Sequence, residues 1–478
     1  MSQVTVRSTQ ALEAMFNARS IAVVGASDSP QKMGSEVFNA LQNAPFAGRL
    51  YPINPTRSQI HGVRCYPSVK DVPEQLDYAM IAVPADQALS AVSDCAAAGV
   101  LTVQILSAGF GEVSEQGKDT EAAILHTARA AGMTVIGPNC LGSYCSRTRI
   151  SWTDKFRFEE GNIAFVSQSG GLCMDALGIG QERDIRFSKV LSIGNSIDLD
   201  WADYFRYLGQ DKSTALVGAY IESTRDGRGL VAALADLTPA KPVLVLKGGK
   251  TNAGLNSVSS HTGQLAGDYA IWKAALRQSG AVEVPSLDAM ISCWEALQRW
   301  GSVPSGGVAL IGNGGGATVL ATDSFEGAGL KLARLREESL SALRRAIPYA
   351  GVVGSEGNPL DLPARRLIEH SGARLAEILR TVVGDAGVGA IVVHVNLAMP
   401  SFGARHPDVT ELFGYLARRV AELGGAKVLL VLRSDGSEYV EGLRRATAAA
   451  FRGIARVPVF ASLEEAAICL HVLARLAR

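Results

Sequence analysis

Three times along this chain a short apolar run ends in glycine and small residues and then passes into a helical pattern. The stretches are Ile21-Ala22-Val23-Val24-Gly25-Ala26-Ser27, Ile163-Ala164-Phe165-Val166-Ser167-Gln168-Ser169-Gly170-Gly171 and Val308-Ala309-Leu310-Ile311-Gly312-Asn313-Gly314-Gly315-Gly316. Strands without polar alternation are buried on both faces, which requires helices packed on either side of a parallel sheet. Further apolar runs at 50–55, 78–84, 102–106, 134–136, 215–222, 243–247, 390–395 and 427–432 alternate with segments of helical spacing. This alternation predicts an α/β architecture with parallel sheets. A chain of 478 residues is long enough for about three domains. They are expected over 1–150, 151–302 and 303–478, with Pro304-Ser305-Gly306-Gly307 as a linker into the last.

Charge and cysteine content narrow the function classes. The 46 Lys and Arg residues are balanced by 46 Asp and Glu, so no basic surplus points to nucleic acid or an anionic membrane. Met1 to Gln10 is polar and lacks a signal core, and no apolar run reaches the length of a membrane span. The seven cysteines are scattered, with no disulfide or metal-ligand framework, which suits a reducing cytoplasm. Asp198, Asp200 and Asp203 lie close together without calcium-loop spacing, so no metal is expected there.

The loops at the carboxyl ends of parallel strands are where ligands bind. In the first segment they present Gly25, Ala26, Ser27 and Lys32, then Asn54 and Pro55, Val83 and Pro84, Ser107, Ala108 and Gly109, and Asn139. The GxGxxG fingerprint is absent after the first strand, which argues against a nicotinamide cofactor. Ser169-Gly170-Gly171 and Asn313-Gly314-Gly315-Gly316 each place backbone N–H groups at a helix start, a geometry that favours anions. Serine capping alone explains the first equally well. Lys247-Gly248-Gly249-Lys250-Thr251 lacks the leading glycine of a P-loop, since Leu244 stands in its place. His394 sits inside an apolar strand and reads as a core residue. Glu222 ends the strand 215–222 and faces the crevice at its tip. His261 lies among small residues between the strand 243–247 and a helix near 270–276, in what reads as a mobile connection. Histidine can carry a phosphoryl group covalently, although on its residues alone the stretch reads equally as an ordinary polar loop.

The run Ser260-His261-Thr262-Gly263-Gln264-Leu265-Ala266-Gly267-Asp268 resembles the phosphohistidine loop of the nucleoside-diphosphate-forming acyl-CoA synthetases. That superfamily contains succinyl-CoA synthetase and ADP-forming acetyl-CoA synthetase. Val24-Gly25-Ala26-Ser27 with Lys32, Ile53-Asn54-Pro55, Ala82-Val83-Pro84, Ser107-Ala108-Gly109-Phe110 and Gly137-Pro138-Asn139-Cys140-Leu141-Gly142 resemble its CoA-binding domain. Ser167-Gln168-Ser169-Gly170, Tyr220-Ile221-Glu222, Asn313-Gly314-Gly315-Gly316 and Asn358-Pro359-Leu360-Asp361-Leu362 are similar to its later motifs. The resemblance implies a Rossmann-like CoA-binding domain followed by two flavodoxin-like CoA-ligase domains. It implies coenzyme A across the first-domain loops, with its phosphates near Ser27 and Lys32 and its thiol near Asn139. The acyl pocket would lie near Asn139, Trp152, Gly194 and Asn195. It further implies a phosphoryl relay on His261, oriented by Glu222 and faced by the helix starts at Ser169–Gly171 and Asn313–Gly316. No stretch resembles an ATP-grasp domain, so ATP and Mg²⁺ are expected on an ATP-grasp β subunit, in an α2β2 assembly that joins a small carboxylic acid to CoA. Two other readings stand beside it: a CoA-binding sensor or scaffold subunit without turnover, and a nicotinamide oxidoreductase.

Overall fold

The computed structural model describes residues 3–44, 46–262, 267–312, 314–347, 357–362, 373–399 and 409–477. They form two compact units, Met1–Leu287 and Asp288–Arg478.

The first unit holds two sheets. Strands β1 (Ser20–Val24), β2 (Arg49–Ile53), β5 (Tyr78–Ile81), β6 (Thr102–Ile105) and β7 (Thr134–Ile136) run parallel in the order β2-β1-β5-β6-β7. The hairpin β3 (Gln59–Ile60) and β4 (Val63–Arg64) stands outside the sheet. Helices α1 (Gln3–Phe16), α2 (Met33–Asn43), α3 (Ala85–Ala97) and α4 (Glu115–Ala130) accompany it. Strands β1, β5, β6 and β7 are buried along their whole length, which is why they read as unbroken apolar runs. The second sheet has the order β13-β12-β11-β9-β10-β8. Its members are β8 (Ser143–Cys145), β9 (Ile163–Ser167), β10 (Phe187–Ser192), β11 (Leu216–Ile221), β12 (Val243–Lys247) and β13 (Val282–Val284). Between them run α5 (Gly170–Glu182), α6 (Trp201–Gln210), α7 (Gly227–Leu237), α8 (Asn252–Thr262) and α9 (Tyr269–Gln278). All pairings are parallel except β8, which runs antiparallel to β10 with Cys145 opposite Lys189.

Strand β8 lies within residues 1–150 by sequence, yet it completes the second sheet. The two sheets also share polar ties. Asp198, whose carboxylate is buried, takes Arg7 at 2.9 Å, Arg129 at 3.1 Å and the N–H of Val135 at 3.2 Å. Asp200 and Asp203 form a capping box at the start of α6. The three acids are therefore occupied by ion pairing and helix capping.

The second unit begins with α10 (Leu287–Trp300), a helix that sequence placed before the boundary at 302. It is tied into this unit by Ser292 donating to Glu465 at 2.6 Å and by Arg452 donating to the buried carboxylate of Glu295 at 2.7 Å. A five-stranded parallel sheet follows, ordered β15-β14-β16-β17-β18. Its strands are β14 (Gly307–Gly312), β15 (Leu360–Asp361), β16 (Val388–Asn396), β17 (Val428–Arg433) and β18 (Val459–Phe460). Helices α11 (Gly315–Gly327), α12 (Glu337–Ala346), α13 (Ala373–Val383), α14 (Val409–Ala421), α15 (Glu438–Ala450) and α16 (Leu463–Leu476) pack around it. Ile311, Ile391, Val393, Leu430 and Leu432 from the strands and Leu343, Leu379 and Leu416 from the helices share one core. His394 is inside this fold, and burial beside Arg433 pushes its pKa down to about 4, so it is neutral at physiological pH.

Candidate functional site

The first-domain loops meet at the carboxyl edge of their sheet, each touching the next. Asn54 Nδ2 donates to the carbonyl of Ala26 at 2.9 Å, joining the tips of β2 and β1. Gly25 has φ +88°, and a Cβ there would come within 2.8 Å of Val83, at the tip of β5. Gly34 at the start of α2 lies so close to this turn that an added Cβ would stand 2.0 Å from the carbonyl of Gly25. A Cβ on Gly109 would meet that of Ala85 at 3.3 Å. The Asn139 N–H donates to the Ser107 carbonyl at 2.9 Å, joining the tips of β7 and β6. Ser27 is nearly buried and its hydroxyl accepts from Ser29 N–H at 3.1 Å. Lys32 sits exposed at the N-cap of α2, where a phosphate would also meet the helix's free N–H groups. Pro55, Pro84 and Ala108 lie on the exposed rim.

Asn139 follows a cis Gly137–Pro138 bond and has φ +58°. The second domain presses on this turn. A Cβ on Gly194 would stand 2.1 Å from the Pro138 carbonyl, and Asn195 N–H donates to that carbonyl at 2.9 Å. Trp152 packs over Gly142, whose added Cβ would lie 2.8 Å from the indole's Cβ.

The second sheet gathers a different set at its own carboxyl edge. Ser169 caps α5, its hydroxyl accepting from Leu172 N–H at 3.4 Å, with Gly170 and Gly171 in the first turn. Gln168 reaches across to the tip of β11, its Oε1 accepting from the N–H of Glu222 at 2.6 Å and of Ser223 at 3.1 Å. Glu222 is 5 % exposed, and its carboxylate is hydrogen-bonded to the Tyr220 hydroxyl; burial chiefly, and then that acid, raise the Tyr220 pKa. Lys247 at the end of β12 is 2 % exposed. Its ammonium donates to the carbonyl of Glu222 at 2.8 Å and to that of Gly248, and lies 4.8 Å from the centre of the Trp272 ring.

Burial pushes the Lys247 pKa down to about 8, with Lys250 adding to the fall and Glu222 and Glu283 opposing it. The unfolded chain holds this proton up to about 10.5, so between those values it binds more protons than the folded chain. The contribution of this one group to the free energy of unfolding is therefore expected to rise by about 3 kcal/mol as pH climbs from 8 toward 10.5. Urea midpoints at pH 7.5 and 10 for the natural protein and Lys247→Met check this. The natural protein gains stability relative to the variant between the two pH values; an unchanged difference refutes the assignment.

His261 lies on a helix. Sequence placed it in a loop, but α8 runs through Thr262. Thr251 supplies the start, its hydroxyl accepting from Gly254 N–H at 3.1 Å and its carbonyl from Leu255 N–H at 2.7 Å. Gly254 adopts no left-handed conformation, so it does not interrupt the helix. From Asn252 to Val258 the only buried side chain is Val258, so little apolar contact holds that stretch of the helix to the sheet. The four residues 263–266 of the Ser260–Asp268 run lie outside the described residues.

In the second unit, Gly314 has φ +108° and caps α11, whose first residues are Gly315 and Gly316. Its N–H donates to Asp361 at 3.0 Å. All three glycines are exposed, and Asn313 lies outside the described residues. Asn358 knits this edge together, accepting from Leu310 N–H at 2.9 Å and donating to the Val308 carbonyl at 2.8 Å. The structure thus brings Gly25, Ala26, Asn54 and Val83 together, joins Ser107 to Asn139, and sets Glu222 beside Gln168 and Lys247. Sequence reasoning assigned no site role to Gln168 or Lys247. Only their assembly from separate strand ends gives them meaning.

A model of the succinyl-CoA ligase-like flavodoxin domain matches residues 160–297, and one of the CoA-binding domain matches residues 19–145. The chain is 36% identical over 429 residues to acetate–CoA ligase (ADP-forming) II subunit alpha of Pyrococcus furiosus, covering 89% of this chain and 90% of that protein. It is 30% identical over 460 residues to 4-hydroxybutyrate–CoA ligase (ADP-forming) of Nitrosopumilus maritimus, covering 92% of this chain and 64% of that one. The fold superimposes with a TM-score of 0.85, at 30% identity, on the dinucleotide forming acetyl-coenzyme A synthetase 1 of Ca. Korarchaeum cryptofilum in complex with phosphate and ADP. That match covers 98% of this chain and 97% of the other.

Proposed function

The chain belongs to the ADP-forming acetate–CoA ligase alpha subunits, within the nucleoside-diphosphate-forming acyl-CoA synthetases, and on that premise we propose that it relays phosphate through His261 and works with an ATP-grasp partner subunit. The observation that carries this reading is the juncture of β11 and β12. Glu222 follows the last residue of one strand, and the other leads through residues 248–251 into the helix that bears His261. An acid held by its neighbours in one place can orient an imidazole and favour its nucleophilic tautomer.

A ring nitrogen of His261 attacks the γ-phosphorus of ATP and ADP leaves. A carboxylate oxygen of the acid attacks the phosphorus, the P–N bond breaks and an acyl phosphate forms. The CoA thiolate attacks the acyl carbon, the C–O bond breaks and inorganic phosphate leaves. Splitting the transfer in this way replaces one difficult step with easier ones. The N–H groups of Gly170 and Gly171, in the first turn of α5, supply oriented dipoles for charge at phosphorus. The sparse packing of α8 from Asn252 to Val258 supports a segment that leaves the sheet at low cost and shuttles between sites. Mg²⁺·ATP binds the partner. Acetate is the substrate we would try first, followed by 4-hydroxybutyrate.

The test is product analysis of the chain co-expressed with an ATP-grasp subunit, supplied with acetate, CoA and Mg²⁺·ATP. We expect thioester, ADP and phosphate in equal amounts, and no thioester from this chain alone. AMP and pyrophosphate as products, or CoA binding without turnover on any acid, would overturn the reading. The latter would favour a CoA sensor.

A further inference from the structure

Two carboxylates outside the site residues described above converge on a single amide. Asn195 Nδ2 donates to Glu112 Oε2 at 2.7 Å and to Glu121 Oε1 at 2.7 Å. Asn195 Oδ1 in turn accepts from Asn139 Nδ2 at 3.3 Å. The acids come from the loop after β6 and from α4, the asparagine from the loop after β10, and Asn139 from the loop after β7.

The geometry fixes every member. Were the Asn195 amide turned over, its oxygen would face two carboxylates, so only one orientation is stable. Glu112 is itself anchored by the N–H of Gly109 at 2.6 Å and of Phe110 at 3.2 Å. Burial alone would lift its pKa, but these N–H groups and Asn195 hold it below the usual carboxylate value. Glu121 accepts from the Gly111 N–H as well as from Asn195, and burial keeps its pKa raised, with Glu112 contributing. With Nδ2 of Asn139 drawn toward Asn195, the carboxamide oxygen of Asn139 is turned the other way. A fixed carbonyl oxygen accepts hydrogen bonds only, which suits a thiol or an amide N–H of the pantetheine arm.

We propose that Glu112 and Glu121 are positioning residues for the thioester-forming step, acting through Asn195 to set the carboxamide of Asn139. This rests on the functional reading above, in which the thiol end of CoA lies near Asn139. The nucleotide end would bind at the Ser27–Lys32 turn, on other loops, so disturbing Asn139 affects turnover more than CoA affinity.

Glu121→Gln tests it in the complete complex. Glutamine has one acceptor oxygen, so it can serve Asn195 or Gly111 but not both. We expect kcat for thioester formation to fall about 10- to 100-fold, the range for losing an orienting partner, while KM for CoA changes by less than about twofold. Phosphorylation of the chain by ATP, measured without CoA, should be unchanged. Asn195→Ala should reproduce this split. An unchanged kcat in both variants overturns the inference. So does an equal loss of phosphorylation and thioester formation, which marks a merely structural role. A natural complex that forms no thioester sinks the functional reading itself, and this inference with it.

Discussion

Replacing His261 by alanine is expected to abolish transfer of phosphate from ATP to this chain and to lower thioester formation at least about 10³-fold, as losing a covalent nucleophile does. The variant should fold normally. The position lies on a helix with one buried side chain between Asn252 and Val258, and alanine is the best helix former. CoA affinity should be untouched, because the first-domain loops come from a separate sheet. Intact-mass measurement after incubation with Mg²⁺·ATP and the partner subunit reads the result. The natural chain gains one acid-labile phosphoryl group and the variant none. Undiminished thioester formation in the variant would remove the relay from the mechanism.

The second large effect is expected at Glu222. Glu222→Gln keeps the shape of the side chain and the backbone N–H bonded to Gln168. It removes the negative charge that would stabilise the imidazole as phosphate is gained or lost. Orienting carboxylates of this kind are worth about 10- to 100-fold, so phosphorylation of His261 should slow by that factor. Stopped-time phosphorylation at saturating ATP measures it. CoA binding by calorimetry serves as the control and should not move. A phosphorylation rate within twofold of the natural protein would reduce Glu222 to a buried acid serving Tyr220, Gln168 and Lys247.

The sheets were legible in the sequence because parallel strands buried on both faces leave apolar runs, and β1, β6, β9, β14 and β17 fall where those runs lie. Three elements were not. Strand β8 is only Ser143–Cys145, too short to show a period. Helix α1 lay in a stretch that reads as polar. Helix α8 is rich in Ser and Asn, and from Asn252 to Val258 only Val258 is buried, so it has no apolar period to read and its start is set by the Thr251 cap. The motif turns announced themselves through glycines that accept positive φ or close backbone approach, as at Gly25 and Gly194. The relay of Glu112, Glu121 and Asn195 gave no signal. Its acids lie 83 and 74 positions from the asparagine, and ordinary surface glutamates look the same in a sequence.

Strand β8 has a consequence for how such proteins can be recombined. A crossover placed at residue 150 would carry off a strand of the neighbouring sheet and separate Arg7 and Arg129 from Asp198. Each fragment would be left with an open sheet edge or stranded charges. Grafting the CoA-binding half onto another ligase therefore needs a seam before Ser143, together with a recipient acid at the position of Asp198. A seam set there keeps β8 with the sheet it completes and leaves the five strands of the first sheet together.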